Sequence, residues 1–231
     1  MTVLAPPHPL LSVFLDAARG VFPPVDGGVT VVPATDDGLE CVVAFTGHAY
    51  VATSLPADEV RAAGADGFGG AHSPEFLTAL GGPKARFDVL DVTLVAFGAG
   101  GPARLPQAGP RGLAHPRVIR ARGLRTDVRA YEDERGVITV ARGVAGRREL
   151  SVERWAAESE SNPGEGTTRG PGASAGAGRG LISDALTLVP AGEPVFAAVS
   201  PGNARSLRAF LASGFVPVGS EILLHPGRAR P

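Results

Sequence analysis

The chain has 231 residues, of which 44% are hydrophobic and 19% are charged, and its formal net charge is −1. The apolar fraction suffices for a buried core and excludes a wholly disordered chain, whereas the near-neutral charge argues against a nucleic-acid or anionic-membrane binder. The sequence has neither the apolar run of roughly 20 residues that a membrane-spanning helix needs nor the pattern of a signal peptide, so we expect a cytoplasmic protein without a membrane partner.

The first region, residues 1–98, mixes predicted helices and strands. Apolar spacing distinguishes the two, and Ser73 is a suitable cap for the third helix. The predicted elements are helix 9–18, strand 28–33, strand 39–53 with a turn at Gly47-His48, helix 56–63, helix 74–80 and strand 87–97. Glycine and proline are then concentrated up to residue 112, and we place an interdomain linker at 99–112.

The second region, residues 113–231, begins with a short helix and an antiparallel meander. The turn Glu134-Arg135-Gly136 is short enough for a β-hairpin. The predicted elements are helix 118–124, strands 127–133, 137–142 and 148–153, strand 195–200, helix 203–214 and strand 215–225. Residues 156–175 lack apolar periodicity, which predicts a flexible loop.

A glycine-rich stretch, Gly176 to Gly180, follows this loop and is predicted to open a helix. Glycines remove the Cβ atoms that would keep backbone N–H groups from a pyrophosphate, and the start of a helix adds unpaired N–H donors and a positive dipole end. A strand and a second helix follow, the latter capped by Asn203 and closed by Gly214-Phe215. Strand, glycine turn, helix, strand and capped helix together indicate a phosphate-binding unit.

These residues resemble the GCN5-related N-acetyltransferase family. Gly176 and Gly178 match the glycines of its acetyl-CoA loop, Asn203 matches its later asparagine, and Gly214-Phe215 match its closing pair. Two positions depart from the family pattern. Ala173 stands where the family has Arg or Gln, with Arg169 just upstream, and Phe210 stands where the family has a tyrosine that protonates the CoA thiolate.

The resemblance, which covers roughly half of the chain, implies an α+β fold with a mixed, mostly antiparallel sheet flanked by helices over residues 113–231. The preceding smaller region then either supplies missing packing or forms a degenerate second copy of the fold. The implied activity is transfer of an acetyl or other acyl group from acetyl-CoA to the amine of a small molecule or peptide. The residues implied in cofactor binding are Leu150, Val152, Gly176, Ala177, Gly178, Arg179, Gly180, Asn203, Ser206 and Phe210.

Candidate catalytic carboxylates lie on strand 148–153. Glu149, Ser151 and Glu153 alternate onto one face, so Glu149 or Glu153 can accept the amine proton directly or through a water. The alternative is that both side chains face solvent, and Glu221 is a poorer candidate. No His, Cys, Asp and Glu spacing typical of a metal site is present in the sequence, and we expect no metal.

A different function remains open. Ala173 and Phe210 favour a CoA-binding or protein-interaction module that retains the fold without catalysis, whereas the intact glycines and the Asn203 to Phe215 motif favour an active transferase.

Overall fold

The computed structural model describes residues 6–35, 38–155 and 172–228, with the side chains of 172–175 excepted. The helices are α1 Pro9–Ala18, α2 Ala57–Ala62, α3 Pro74–Gly81, α4 Pro110–Leu113, α5 Pro116–Leu124, α6 Gly172–Ala185 and α7 Ala204–Ala212. The strands are β1 Val29–Val32, β2 Glu40–Phe45, β3 His48–Ala52, β4 Arg86–Phe87, β5 Asp91–Phe97, β6 Thr126–Asp133, β7 Gly136–Arg142, β8 Arg148–Arg154, β9 Pro194–Val199 and β10 Val216–His225. Among the described helices, none has the length and apolar character required to cross a bilayer.

The helices and strands predicted from spacing are confirmed, most of them to within two residues of their ends. Local chemistry explains several of the boundaries. The Ser73 hydroxyl accepts the Phe76 N–H at 3.1 Å, and the Asn203 side chain accepts the Ser206 N–H at 3.1 Å, so both caps satisfy a free donor of the first helical turn. Gly47 has φ +73°, a conformation that favours glycine, in the turn that joins β2 to β3.

The strands form one mixed, mostly antiparallel sheet in the order β1-β3-β2-β10-β5-β9-β8-β7-β6, with β4 also paired to β10. Two neighbouring pairs are parallel, β1 with β3 and β8 with β9. The predicted α+β class with a mixed, mostly antiparallel sheet and flanking helices is therefore confirmed.

Strands from both sides of the predicted linker at 99–112 alternate in the centre of this sheet. Strand β10 lies between β2 and β5, and β5 in turn lies between β10 and β9. Six residue pairs join β5 to β9, and five join β5 to β10. The N-terminal region thus contributes a central strand to the sheet that carries the C-terminal motifs.

Helices cover the sheet on both faces. On one face, which we call the α1 face, Leu10 and Phe14 of α1 pack on a buried cluster that includes Cys41, Val95 and Phe196. The opposite face, the α6 face, carries a cluster of buried residues from α6, α7, β5, β8 and β9. Its members include Leu94, Leu150, Leu181, Ile182, Ala185, Ala197 and Phe210. Helices α2 and α3 cover the N-terminal strands on this same side through Val60, Phe76 and Leu80.

Helix α6 begins earlier than the sequence indicated. It starts at Gly172, so Gly176 to Gly180 lie inside the helix, which corrects the prediction that they form a turn ahead of it. Each interior glycine costs about 1 kcal/mol of helix stability relative to alanine, but burial of Leu181, Ile182 and Ala185 favours the helix. Of the predicted flexible loop 156–175, residues 156–171 lie outside the described part of the chain.

Candidate functional site

Strands β8 and β9 are parallel neighbours that pair at one register position, Glu149 with Phe196. Beyond that position β8 continues to Arg154 and β9 to Val199, and within the described residues no further ladder joins them. Strand β8 remains paired with β7 along its other side. From residue 150 onward, β8 therefore presents an open row of backbone donors and acceptors towards β9, in what we call the β8–β9 gap.

Helix α6 belongs to the connection between these two strands and packs beside the gap. Its Leu181 and Ile182 share a buried cluster with Leu150 of β8, and Val152 packs against the same cluster. A Cβ at Gly178 would lie 3.5 Å from the Arg154 Cδ at the end of β8. The structure thus brings the predicted loop glycines and the predicted pantetheine strand to one corner of the sheet.

Contacts with the described residues do not require glycine at three positions of α6. A Cβ at Gly176 would meet no atom within 4 Å, one at Gly178 would make only an ordinary contact, and one at Gly180 would lie 3.1 Å from the Arg135 Nη1. The last neighbour is the end of a flexible side chain. Because a helix gains stability from alanine at such positions, the three glycines weaken α6 and leave its flank bare of side chains.

The remaining predicted cofactor residues lie on α6 and α7. Asn203 is exposed and caps α7, and Ser206, which is half-buried, donates its backbone N–H to that cap. Phe210 is buried, and its ring packs edge-on against the ring of Phe215 with 4.9 Å between the ring centroids. Arg179 is exposed, and its backbone carbonyl accepts the Ser213 hydroxyl at 3.4 Å, which joins the two helices. Ala177 is half-buried.

Glu149 lies at the point where the two strands diverge, in a buried network of charges on the α1 face. The Arg147 Nε donates to its Oε1 at 2.9 Å, and the Arg125 Nε donates to its Oε2 at 2.5 Å. The Val144 backbone N–H is a further donor to Oε1 at 3.1 Å. Arg147 is fully buried and also donates from Nη2 to the Glu221 Oε1 at 2.6 Å. The alternative that Glu149 faces solvent is therefore wrong.

These contacts keep the Glu149 carboxylate ionised. Burial alone would raise its pKa, but the charges of Arg147 and Arg125 and their hydrogen bonds outweigh burial and lower the pKa to about 2. A carboxylate with both oxygens occupied and a low pKa is a weak proton acceptor. The geometry therefore favours a structural role for Glu149 over the predicted role as base.

The low pKa of Glu149 predicts how stability responds to acid. A carboxylate whose pKa falls from 4.5 in the unfolded chain to about 2 in the folded protein contributes stability above pH 4.5, and this is lost as the pH falls towards 2. The slope of unfolding free energy against pH measures how many protons the chain takes up on unfolding. We expect Glu149→Gln to lower this number by up to one proton in this pH window. Urea unfolding at a series of pH values measures the slope, and equal slopes for the two proteins would contradict the assignment.

Glu153, the other predicted base, is half-exposed and forms an ion pair with Arg117 of helix α5. The Arg117 Nε and Nη2 donate to its Oε2 at 2.8 and 2.6 Å, and Nη1 donates to the Ser151 hydroxyl at 2.9 Å. Its other carboxylate oxygen has no hydrogen-bond donor among the described residues. Arg117 thus fixes the outer part of β8 to α5.

Sequence reasoning missed Arg125 and Arg147, which pair with Glu149, and Thr93, whose hydroxyl donates to the Glu221 Oε2 at 2.6 Å. It also missed Asp91, whose charge acts on Glu221 without a hydrogen bond among the described residues. Arg147 and Arg148 are adjacent and identical in type, and nothing local indicates which of them is buried. Asp91 did carry a signal, because it alternates with Thr93 and Val95 along an apolar strand, which predicts one shared face. Within the described part of the chain, no three His, Cys, Asp or Glu side chains are placed to hold a metal ion.

No protein-family model matches the chain, and no curated protein matches its sequence.

Proposed function

We propose that the chain is an N-acyltransferase of the GCN5-related type, which moves an acetyl or related acyl group from acetyl-CoA to the amine of a small molecule or peptide. The observation that carries this proposal is the β8–β9 gap, in which two parallel strands diverge beyond Glu149 and Phe196 while α6 packs over them. Among the described residues, the gap offers backbone groups of β8 that no strand pairs with, beside a glycine-rich helix.

In this proposal the pantetheine arm of CoA lies in the gap and pairs with the backbone of residues 150–153, as an added strand pairs with a sheet edge. The pyrophosphate lies at the start of α6, where the first turn of a helix has free N–H groups and a positive dipole end. Because α6 begins at Gly172, these donors lie ahead of Gly176, and the glycines instead leave the flank of the helix open to the ligand.

Catalysis relies mainly on positioning, which alone contributes up to about 7–11 kcal/mol to lowering a barrier between two bound reactants. Phe210 has no hydroxyl, so the departing thiolate takes its proton from solvent. Residues 1–98 place β5 directly beside β9. We infer that the N-terminal region supplies packing for the site, in preference to being a degenerate second copy of the fold.

The second candidate is a CoA-binding or interaction module without catalysis. It is favoured by Phe210, by Ala173 and by the fully occupied oxygens of Glu149. The two candidates agree on cofactor binding and differ in turnover, so a screen of amine acceptors that monitors thiol release from acetyl-CoA distinguishes them.

Calorimetric titration with acetyl-CoA and with free CoA tests the site. We expect the native protein to bind both ligands and Gly178→Val to lose binding at least about tenfold, equivalent to about 1.4 kcal/mol, because its side chain adds bulk to the flank of α6 that faces Arg154 at the end of β8. Gly123→Val is the matched control, since Gly123 lies in α5 and a Cβ there meets no atom within 4 Å.

Two results would contradict the proposal. The first is failure of the native protein to bind either ligand. The second is equal affinity of the Gly178→Val variant and the native protein when circular dichroism shows that the variant is folded.

A further inference from the structure

Asp91 lies on the α1 face beside the open end of the β8–β9 gap. Val95 of β5 pairs with Phe196 of β9, and Phe196 pairs with Glu149 of β8, so these three side chains share a face. Asp91 precedes Val95 by four residues and therefore lies on that face as well. Its neighbour Val92 pairs with Val199, the last residue of β9, which puts Asp91 at the end where β8 and β9 diverge.

The other acidic side chains around this end of the sheet are engaged by basic or hydroxyl groups. Glu221 accepts from Arg147 and from the Thr93 hydroxyl, the latter at 2.6 Å. Asp88 accepts from Arg120 at 2.9 Å. Glu149 and Glu153 have the arginine partners described above. No donor among the described residues bonds to the carboxylate of Asp91, which is half-buried and has lone pairs free to accept a proton.

The charges that face Asp91 come from three elements. Glu221 belongs to β10, Asp88 precedes β5, and Arg120 and Arg125 belong to α5 and the residue that follows it. Burial and the two acidic neighbours raise the pKa of Asp91 to about 6, against a smaller opposite effect of the two arginines. A carboxylate of this pKa is ionised at neutral pH and is a stronger base than an ordinary aspartate.

We propose that Asp91 is the general base of the acyl transfer and accepts the proton that the acceptor amine loses. The inference rests on the proposed acyltransferase function. The amine nitrogen attacks the thioester carbonyl carbon, so that a C–N bond forms and the C–S bond breaks. The proton on nitrogen passes to Asp91 and then to solvent, and the thiolate takes a proton from solvent to leave as CoA thiol.

The test follows thiol release from acetyl-CoA, with the best amine of the acceptor screen, from about pH 5 to about pH 8.5. We expect Asp91→Asn to lower kcat about 10²–10⁴-fold and to remove the acid limb of the pH profile near pH 6, while leaving acetyl-CoA affinity unchanged. We expect Asp91→Glu to recover part of the rate. Asp88→Asn is the matched control, because it removes a nearby acid that is already paired with Arg120. It should keep kcat near the native value and retain the acid limb, shifted to lower pH because one of the charges that raise the pKa of Asp91 is gone.

Native kcat and a native acid limb in Asp91→Asn would overturn the inference. A second measurement needs no acceptor: carboxyl NMR of the native protein and the Asn variant assigns the Asp91 titration. A pKa near 6 supports the role as base, and a pKa near the ordinary 3.8 overturns it. Failure of the native protein to bind acetyl-CoA is detected separately by calorimetry and removes the proposed function itself.

Discussion

Replacing Arg147 by methionine is expected to lower the free energy of unfolding by about 3–5 kcal/mol at pH 7, because it leaves two buried carboxylates without their shared cation. Glu149 and Glu221 are 4% and 2% exposed, so water does not replace the lost charge. Methionine is similar in length and retains much of the contact with Phe14, over which the guanidinium carbon lies at 4.3 Å. The loss is therefore mainly electrostatic, and urea unfolding measures it.

Arg148→Met is the matched control. Arg148 is the next residue, but it pairs at 2.7 Å with Glu193, whose side chain is 48% exposed. A surface pair of this kind contributes about 0–1 kcal/mol, so the control should remain close to the native protein. We also expect the cost of Arg147→Met to shrink below about pH 5, since protonation removes the charge of an uncompensated carboxylate. Equal, small losses for the two variants would show that the buried network contributes little.

The helices and strands of this protein could be predicted because their signals are local. Ser73 and Asn203 are good caps, the apolar residues of α1 recur at helical spacing, and Gly47 marks the turn between β2 and β3. The start of α6 was not predictable in this way. Its glycine content indicates a turn, and packing of Leu181 and Ile182 against the sheet overrides that weak local preference.

The site was only partly predictable because its charges come from distant parts of the chain. Alternation along β8 placed Glu149 and Glu153 on one face, but their partners depend on how the strands are ordered. Glu221 lies 74 positions from Arg147 and 128 positions from Thr93, so no local spacing links them. The insertion of β5 between β9 and β10 is likewise a tertiary feature, and it is this insertion that brings Asp91 to the site.

A fragment of residues 99–231 is expected not to fold cooperatively on its own. Removal of residues 1–98 takes β5 from the centre of the sheet, so that β9 loses six residue pairs. It also takes every strand that pairs with β10, which loses five pairs with β5, five with β2 and two with β4. One edge of β9 and both edges of β10 become exposed, and the buried side chains of Leu94 and Val95 leave the clusters on both faces. Circular dichroism during thermal unfolding should show no sharp transition for this fragment.

The full chain cut at a protease site inserted after Gly101 is the matched control, since Gly101 is exposed, has φ +83° and lies outside the sheet. The cut protein should retain the native transition, because both pieces remain in place, and mixing separately made fragments 1–98 and 99–231 should restore it. Cooperative unfolding of 99–231 alone would contradict this expectation. It would mean that the linker predicted at 99–112 separates two independently stable domains and that β9 and β10 close directly on each other when β5 is absent. In that case Asp91 would not be needed for folding of the acyltransferase region. Any loss of turnover in Asp91→Asn would then come from the missing carboxylate at the site and not from a destabilised fold.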